Sequence, residues 1–197
     1  MKKNFFIIIF LIFAFTQKSF GYSSDPKQFI TEIVNEAKKI LVDTNTKEFK
    51  EAKLSEIALE TVDIKGVAYY SLGNYRKQLT DEQLKEYLTL FENYFLKSFT
   101  SRLTDYSDPK IEVISTEVIN AKYTIVKSIL LATDKKPEVK IEWRIYTKNP
   151  DKPLIRDLII EGLSLARTQK EEFSSVIETN NGDINKLFTT LKEFTAK

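Results

Sequence analysis

"EVKIEWRIYT", residues 138–147, places Val139, Ile141, Trp143 and Ile145 on one side of an extended chain. Lys140, Glu142, Arg144 and Tyr146 fall on the other. An unbroken period of two is the pattern of a strand with one buried face. The same period runs through "KIEVIST" (110–116), "AKYTIVKSILLAT" (121–133) and "PLIRDLIIEG" (153–162), with the turns "TDKKPE" and "KNPDKP" between them. Four such segments in succession predict an antiparallel meander.

Before Pro109 the period is that of a helix. In "DPKQFITEIVNEAKKILVD", Asp25 is placed to cap a helix with Pro26 in its first turn, and Phe29, Ile33, Val34, Ala37, Ile40 and Leu41 recur at helical spacing. A second helix is expected over about 47–62, and a short third one ends near Gly73. "TDEQ" (80–83) is a capping box, and the long helix behind it is expected to reach about Tyr106. Leu84, Leu88, Phe91, Phe95, Phe99 and Leu103 form one stripe along it. Two further helices, "RTQKEEFSSVIETN" and "DINKLFTTLKEFTA", close the chain. The prediction is therefore α+β: helices covering one face of a curved, roughly four-stranded antiparallel sheet. If Phe91, Phe95, Phe99 and Trp143 face one another, the interior is either a thick core or a cavity, and periodicity does not choose between the two.

The first residues, "MKKNFFIIIFLIFAFTQKSFGYSS", carry a positive start, an apolar run from Phe5 to Phe15 and small residues at Ser19 and Gly21. That is the pattern of a signal peptide over 1–21, with one domain over 22–197, exported in soluble form. The full chain has 30 basic and 28 acidic residues, a net charge of +2. Loss of Lys2, Lys3 and Lys18 with the leader would leave a charge of −1. Nucleic acid is not an expected partner of so neutral a chain.

The chain has no Cys and no His. Disulfides, thiol nucleophiles, imidazole bases and thiolate or imidazole metal sites are thereby excluded. Of the carboxylates, Asp157 and Glu161 point to one face of the last strand but stand about 13 Å apart at about 3.3 Å per residue. Paired-carboxylate glycosidases use separations of roughly 5–10 Å. Solvated or capping roles are expected for both, and Glu161 is expected to hold the strand-to-helix corner. No catalytic residue, metal or cofactor is predicted, and the chain is read as a non-enzyme.

The ordered set "SLGNYRKQLTDEQLKEYLTLFENYFLKSFTSRLTDY", "WRIY" and "RDLIIEGLSLARTQKEEF" resembles the MlaC family, also called the toluene-tolerance family, of periplasmic phospholipid-binding proteins. The matching positions are Leu72, Gly73 and Tyr75, then Thr80 and Gln83, then Asp157, Glu161, Gly162, Leu163 and Ser164, and the aromatic Phe173. The turn "KNPDKPLI" departs from the pattern, which often carries a Trp there. The resemblance implies an apolar cavity between the layers, with acyl chains inside and the headgroup in solvent. It implies Val67, Leu72, Tyr75, Leu88, Phe91, Phe95, Phe99, Trp143, Ile145, Leu158, Ile160, Leu163, Phe173 and Ile177 as candidate cavity lining, with Leu163, Leu165 and Phe173 facing inward from the corner "EGLSLARTQKEEF". The implied cargo is phospholipid, held with little headgroup selectivity. The implied partners are an inner-membrane ABC transporter with its substrate-capturing subunit and an outer-membrane lipoprotein/porin complex, in a pathway maintaining outer-membrane lipid asymmetry. The rival expectation is a periplasmic adaptor or chaperone with a filled core that binds protein partners.

Overall fold

Strands begin where the hydrophobic period changes. The computed structural model describes residues 21–134 and 136–196, so the expected leader, apart from Gly21, lies outside the described residues. Along them run α1 (Pro26–Val42), α2 (Lys47–Thr61), α3 (Ile64–Leu72), α4 (Asp81–Leu103), β1 (Ile111–Asn120), β2 (Tyr123–Leu130), β3 (Val139–Tyr146), β4 (Leu154–Ile160), β5 (Leu163–Ser164), α5 (Leu165–Glu178) and α6 (Ile184–Ala196). A 3₁₀ turn spans Gly73–Gln78. The fold is α+β, with an open antiparallel sheet in the order β1-β2-β3-β4-β5.

Two helix starts are capped as the sequence predicts. Asp25 accepts from the Gln28 amide, and Thr80 and Gln83 make both halves of the capping box. α4 ends at Leu103, short of Tyr106, because "TDYSDP" supplies turn residues in place of helix formers. β1 runs four residues beyond "KIEVIST". Irregularities between Val113 and Ser115 and between Val118 and Asn120 break its alternation, which hides the strand from a period-two reading.

A fifth strand adds to the expected four. Glu161 and Gly162 have φ of 49° and 81°, the left-handed backbone that a two-residue hairpin requires, and they return the chain so that Leu163 pairs with Ile160. Glu161 tolerates this because its amide donates to the Lys140 carbonyl while its carboxylate accepts from the Lys140 amide. It holds the corner, as expected.

Two cores result. α1 lays Phe29, Ile30, Ile33 and Val34 against Val126, Trp143, Ile145 and Ile155, with Ile57 of α2 completing the cluster. The indole of Trp143 donates to Ser128 Oγ at 2.9 Å, so its one polar atom is satisfied. The second core is helical: Val67 and Leu72 from α3, Tyr87 and Phe91 from α4, Phe173 and Ile177 from α5, Leu187, Phe188 and Leu191 from α6. Burial pushes the Tyr87 phenol up in pKa, against the opposing bond to Ser71 Oγ at 2.8 Å. Phe91 and Trp143 therefore belong to different cores, so the condition that they face one another is not met. α4 packs mainly on α2, α3 and α6, and α1 holds the Trp143 face. Val62 touches both clusters and marks their junction.

Because Trp143 fills a packed core, Trp143→Ala should lower stability by roughly 3–5 kcal/mol. Urea denaturation followed by circular dichroism checks this, and a loss under about 1 kcal/mol would mean the site is not filled.

Candidate functional site

The sheet has a second face, and the strand register defines it. Ile125 pairs with Arg144 and Arg144 with Asp157; Lys127 pairs with Glu142 and Glu142 with Ile159. Directly paired residues share a face, so these side chains lie opposite Trp143. α3 and α5 both pack against β4. Between them and this face runs a groove of about 610 Å³, with Val67, Ile125, Ile159 and Ala166 on its apolar wall and Glu117, Asn120, Tyr123, Lys127, Glu142, Arg144, Arg156 and Asp157 among its polar residues. Tyr70 of α3 and Ile119 of β1 line it as well, and both are exposed.

Two carboxylates fasten the groove's walls. Asp157 is 6% exposed. Its Oδ2 accepts from Ser164 Oγ at 2.6 Å and its Oδ1 from the Ala166 amide at 3.0 Å. Ser164 in turn accepts from the Arg167 amide as the cap of α5. One side chain of β4 thus anchors the first turn of the helix that supplies Ala166.

Asp63 does the same for α3. It accepts from the Gly66 amide at 2.9 Å and from Arg156 Nε at 2.6 Å. Arg156 sits at the irregularity between the pairs Arg144–Asp157 and Ile145–Ile155, which turns it toward α3. Its guanidinium also donates to the Tyr123 hydroxyl at 2.9 Å and lies 3.6 Å from the centre of the Tyr146 ring. Partial burial opposes its charge, but the bonds to Tyr123 and Asp63 win, and its pKa is raised.

Against this geometry the expected site residues divide into groups. Val67 lines the groove. Leu72, Phe91, Phe173 and Ile177 are buried in the helical core, with Tyr75, Leu88 and Phe95 half-buried against it. Phe99 stacks on Phe95 at 5.6 Å between ring centres. Trp143, Ile145 and Leu158 lie in the core under α1, and Ile160, paired with Ile141, is on that same face. Leu163 does not face inward: it is 58% exposed, because the Glu161–Gly162 hairpin turns it away from the helices. Ile125, Ile159, Arg144 and Arg156 were missed. Their signal was present, since Ile125 and Ile159 are apolar residues on the polar face of their strands.

No group of His, Cys, Asp or Glu among the described residues could hold a metal ion. No helix among them is long and apolar enough to cross a membrane. Fold and groove together make an α+β domain with an amphipathic cleft at the junction of sheet and helices.

The family model of the MlaC protein matches residues 28–193, and the chain belongs to the MlaC family. Its fold is similar to that of a phospholipid-binding protein from Ralstonia solanacearum, solved in complex with a phospholipid. The TM-score is 0.71 at 20% identity, over 85% of this chain and 94% of that one. No curated protein matches the chain in a sequence comparison.

A Cβ on Gly66 would stand 2.4 Å from Asp63 Oδ2. Gly66→Ala should therefore displace Asp63 from Arg156 and cost about 1–3 kcal/mol. Arg156→Ala should act on the same contact, so the double variant should lose less than the sum of the two. Denaturant midpoints of all four proteins check this, and additive losses would disconnect Gly66 from the network.

Proposed function

We propose that this chain is a periplasmic phospholipid carrier. It would take lipid at an outer-membrane lipoprotein/porin complex and pass it to an inner-membrane ABC transporter through that transporter's substrate-capturing subunit, or run the reverse way, in maintaining outer-membrane lipid asymmetry. Membership of the MlaC family over residues 28–193 carries the reading. The leader-like start of the sequence supports export, and the lack of Cys and His suits a protein that binds without covalent chemistry.

The groove opposite Trp143 is the proposed entry for the acyl chains. Its volume of about 610 Å³ lies within the roughly 300–1,000 Å³ usual for ligand sites. Val67 and Ala166 belong both to its wall and to the helical core. Acyl chains passing between α3, α5 and the sheet would therefore reach Leu72, Phe91, Phe95, Phe173 and Ile177. Tyr75, Leu88 and Phe99 would border that path, while Trp143, Ile145, Leu158 and Ile160 would hold the sheet to α1.

Two chains of about 16 carbons represent about 25 kcal/mol of gross transfer energy. Non-covalent affinities do not reach that value. Most of the gain must be offset by parting the packed helices, which keeps binding reversible, as transfer requires.

The test is organic extraction of protein purified from the periplasm without detergent, with mass spectrometry and a phosphate-to-protein ratio. Near-stoichiometric phospholipid is expected, and a folded, lipid-free protein would favour the filled-core adaptor. Ile159→Glu should lower lipid content at least about tenfold with folding retained, because a charge on the groove wall is costly against acyl chains.

A further inference from the structure

The polar residues of the groove are not equivalent, and the difference points to a ligand. Arg156 is locked by Asp63, Tyr123 and Tyr146. Lys127 is held by Glu117 at 2.8 Å. Asp157 is already satisfied by Ser164 and Ala166, the Tyr123 hydroxyl accepts from Arg156, and Asn120 accepts from the Lys122 amide. That leaves Arg144 and Glu142.

Arg144 is 46% exposed in its side chain, and its one ion pair is a long 3.5 Å contact to Asp157. Glu142 is half-buried and makes no hydrogen bond or ion pair among the described residues, and Lys127, paired across from it on β2, is already bonded to Glu117. A cation and an anion with spare bonding capacity thus stand two residues apart on one strand face, about 6.6 Å at about 3.3 Å per residue. Beside them lie Ile125, Ile159 and Val67.

On the reading that the groove admits phospholipid, we propose that Arg144 and Glu142 select a zwitterionic headgroup, Arg144 taking the phosphate and Glu142 the ammonium. A guanidinium fork suits phosphate oxygens. Glu142, with no protein partner of its own, completes its ion pair with the ammonium of the same headgroup. A headgroup that ends in hydroxyls forgoes that pair and leaves the Glu142 carboxylate without a hydrogen-bonded cation beside the phosphate. This preference runs against the expectation of little headgroup selectivity, and the lipid-loading experiment decides between the two.

The experiment loads the full mature chain from vesicles of equal parts phosphatidylethanolamine and phosphatidylglycerol and identifies the bound lipid by mass spectrometry. The native protein should favour phosphatidylethanolamine about fivefold, the scale of one half-exposed ion pair. Glu142→Gln should bring the ratio to that of the vesicles while total lipid stays unchanged. Glu142→Lys should invert the ratio. Arg144→Gln should weaken retention of both lipids alike. A native ratio equal to that of the vesicles, or a preference untouched by Glu142→Gln, overturns the proposal while leaving the carrier reading intact. A native protein that takes up neither lipid overturns both. Circular dichroism of each variant separates loss of selectivity from loss of fold, and Glu142→Gln, the mildest change, decides the case should Glu142→Lys unfold.

Discussion

The carboxylate of Asp157 is the constraint on which the arrangement depends. It sits on β4, 6% exposed, and bonds both the cap residue of α5 and the amide at Ala166. A buried charge is stable only when its lone pairs are filled, and here the start of a helix fills them. The helix dipole adds to the same attraction. The sheet and the helical core are thereby held at a fixed distance along the β4 edge. Asp63 and Arg156 repeat the arrangement for α3. Between the two fastenings the walls of the groove, Val67 and Ala166, come from helices while its floor, Ile125 and Ile159, comes from strands.

Much of this was legible in the sequence. Capping residues Asp25, Thr80 and Gln83 fixed helix starts because a cap is a local hydrogen bond that needs no tertiary context. Alternation in "EVKIEWRIYT" correctly sorted Trp143 from Arg144. What alternation does not carry is which side of a strand meets which helix. It therefore left open whether Trp143 meets Phe91, and α1 covers Trp143 instead. Leu163 was turned inward by the resemblance, and a two-residue strand after a positive-φ Glu leaves no period that would have corrected it. The irregularities in β1 and at Arg156 shifted register in ways that only strand pairing reveals.

The two faces of the sheet thus do different work. One is sealed by α1 around an indole with a satisfied nitrogen, which suits a rigid base. The other keeps apolar side chains beside charged ones under two helices whose inner residues continue into an aromatic core. Family membership supports a protein that binds phospholipid.

Photo-crosslinking tests the location of the lipid most directly. A phospholipid with a diazirine along its acyl chain would be loaded into the native protein, irradiated, and its adducts mapped by peptide mass spectrometry. The account predicts adducts on Val67, Ile125, Ile159 and Ala166, extending to Phe91 and Phe173. Adducts centred on Phe29, Ile33 and Trp143 would put the chains on the opposite face of the sheet and contradict it.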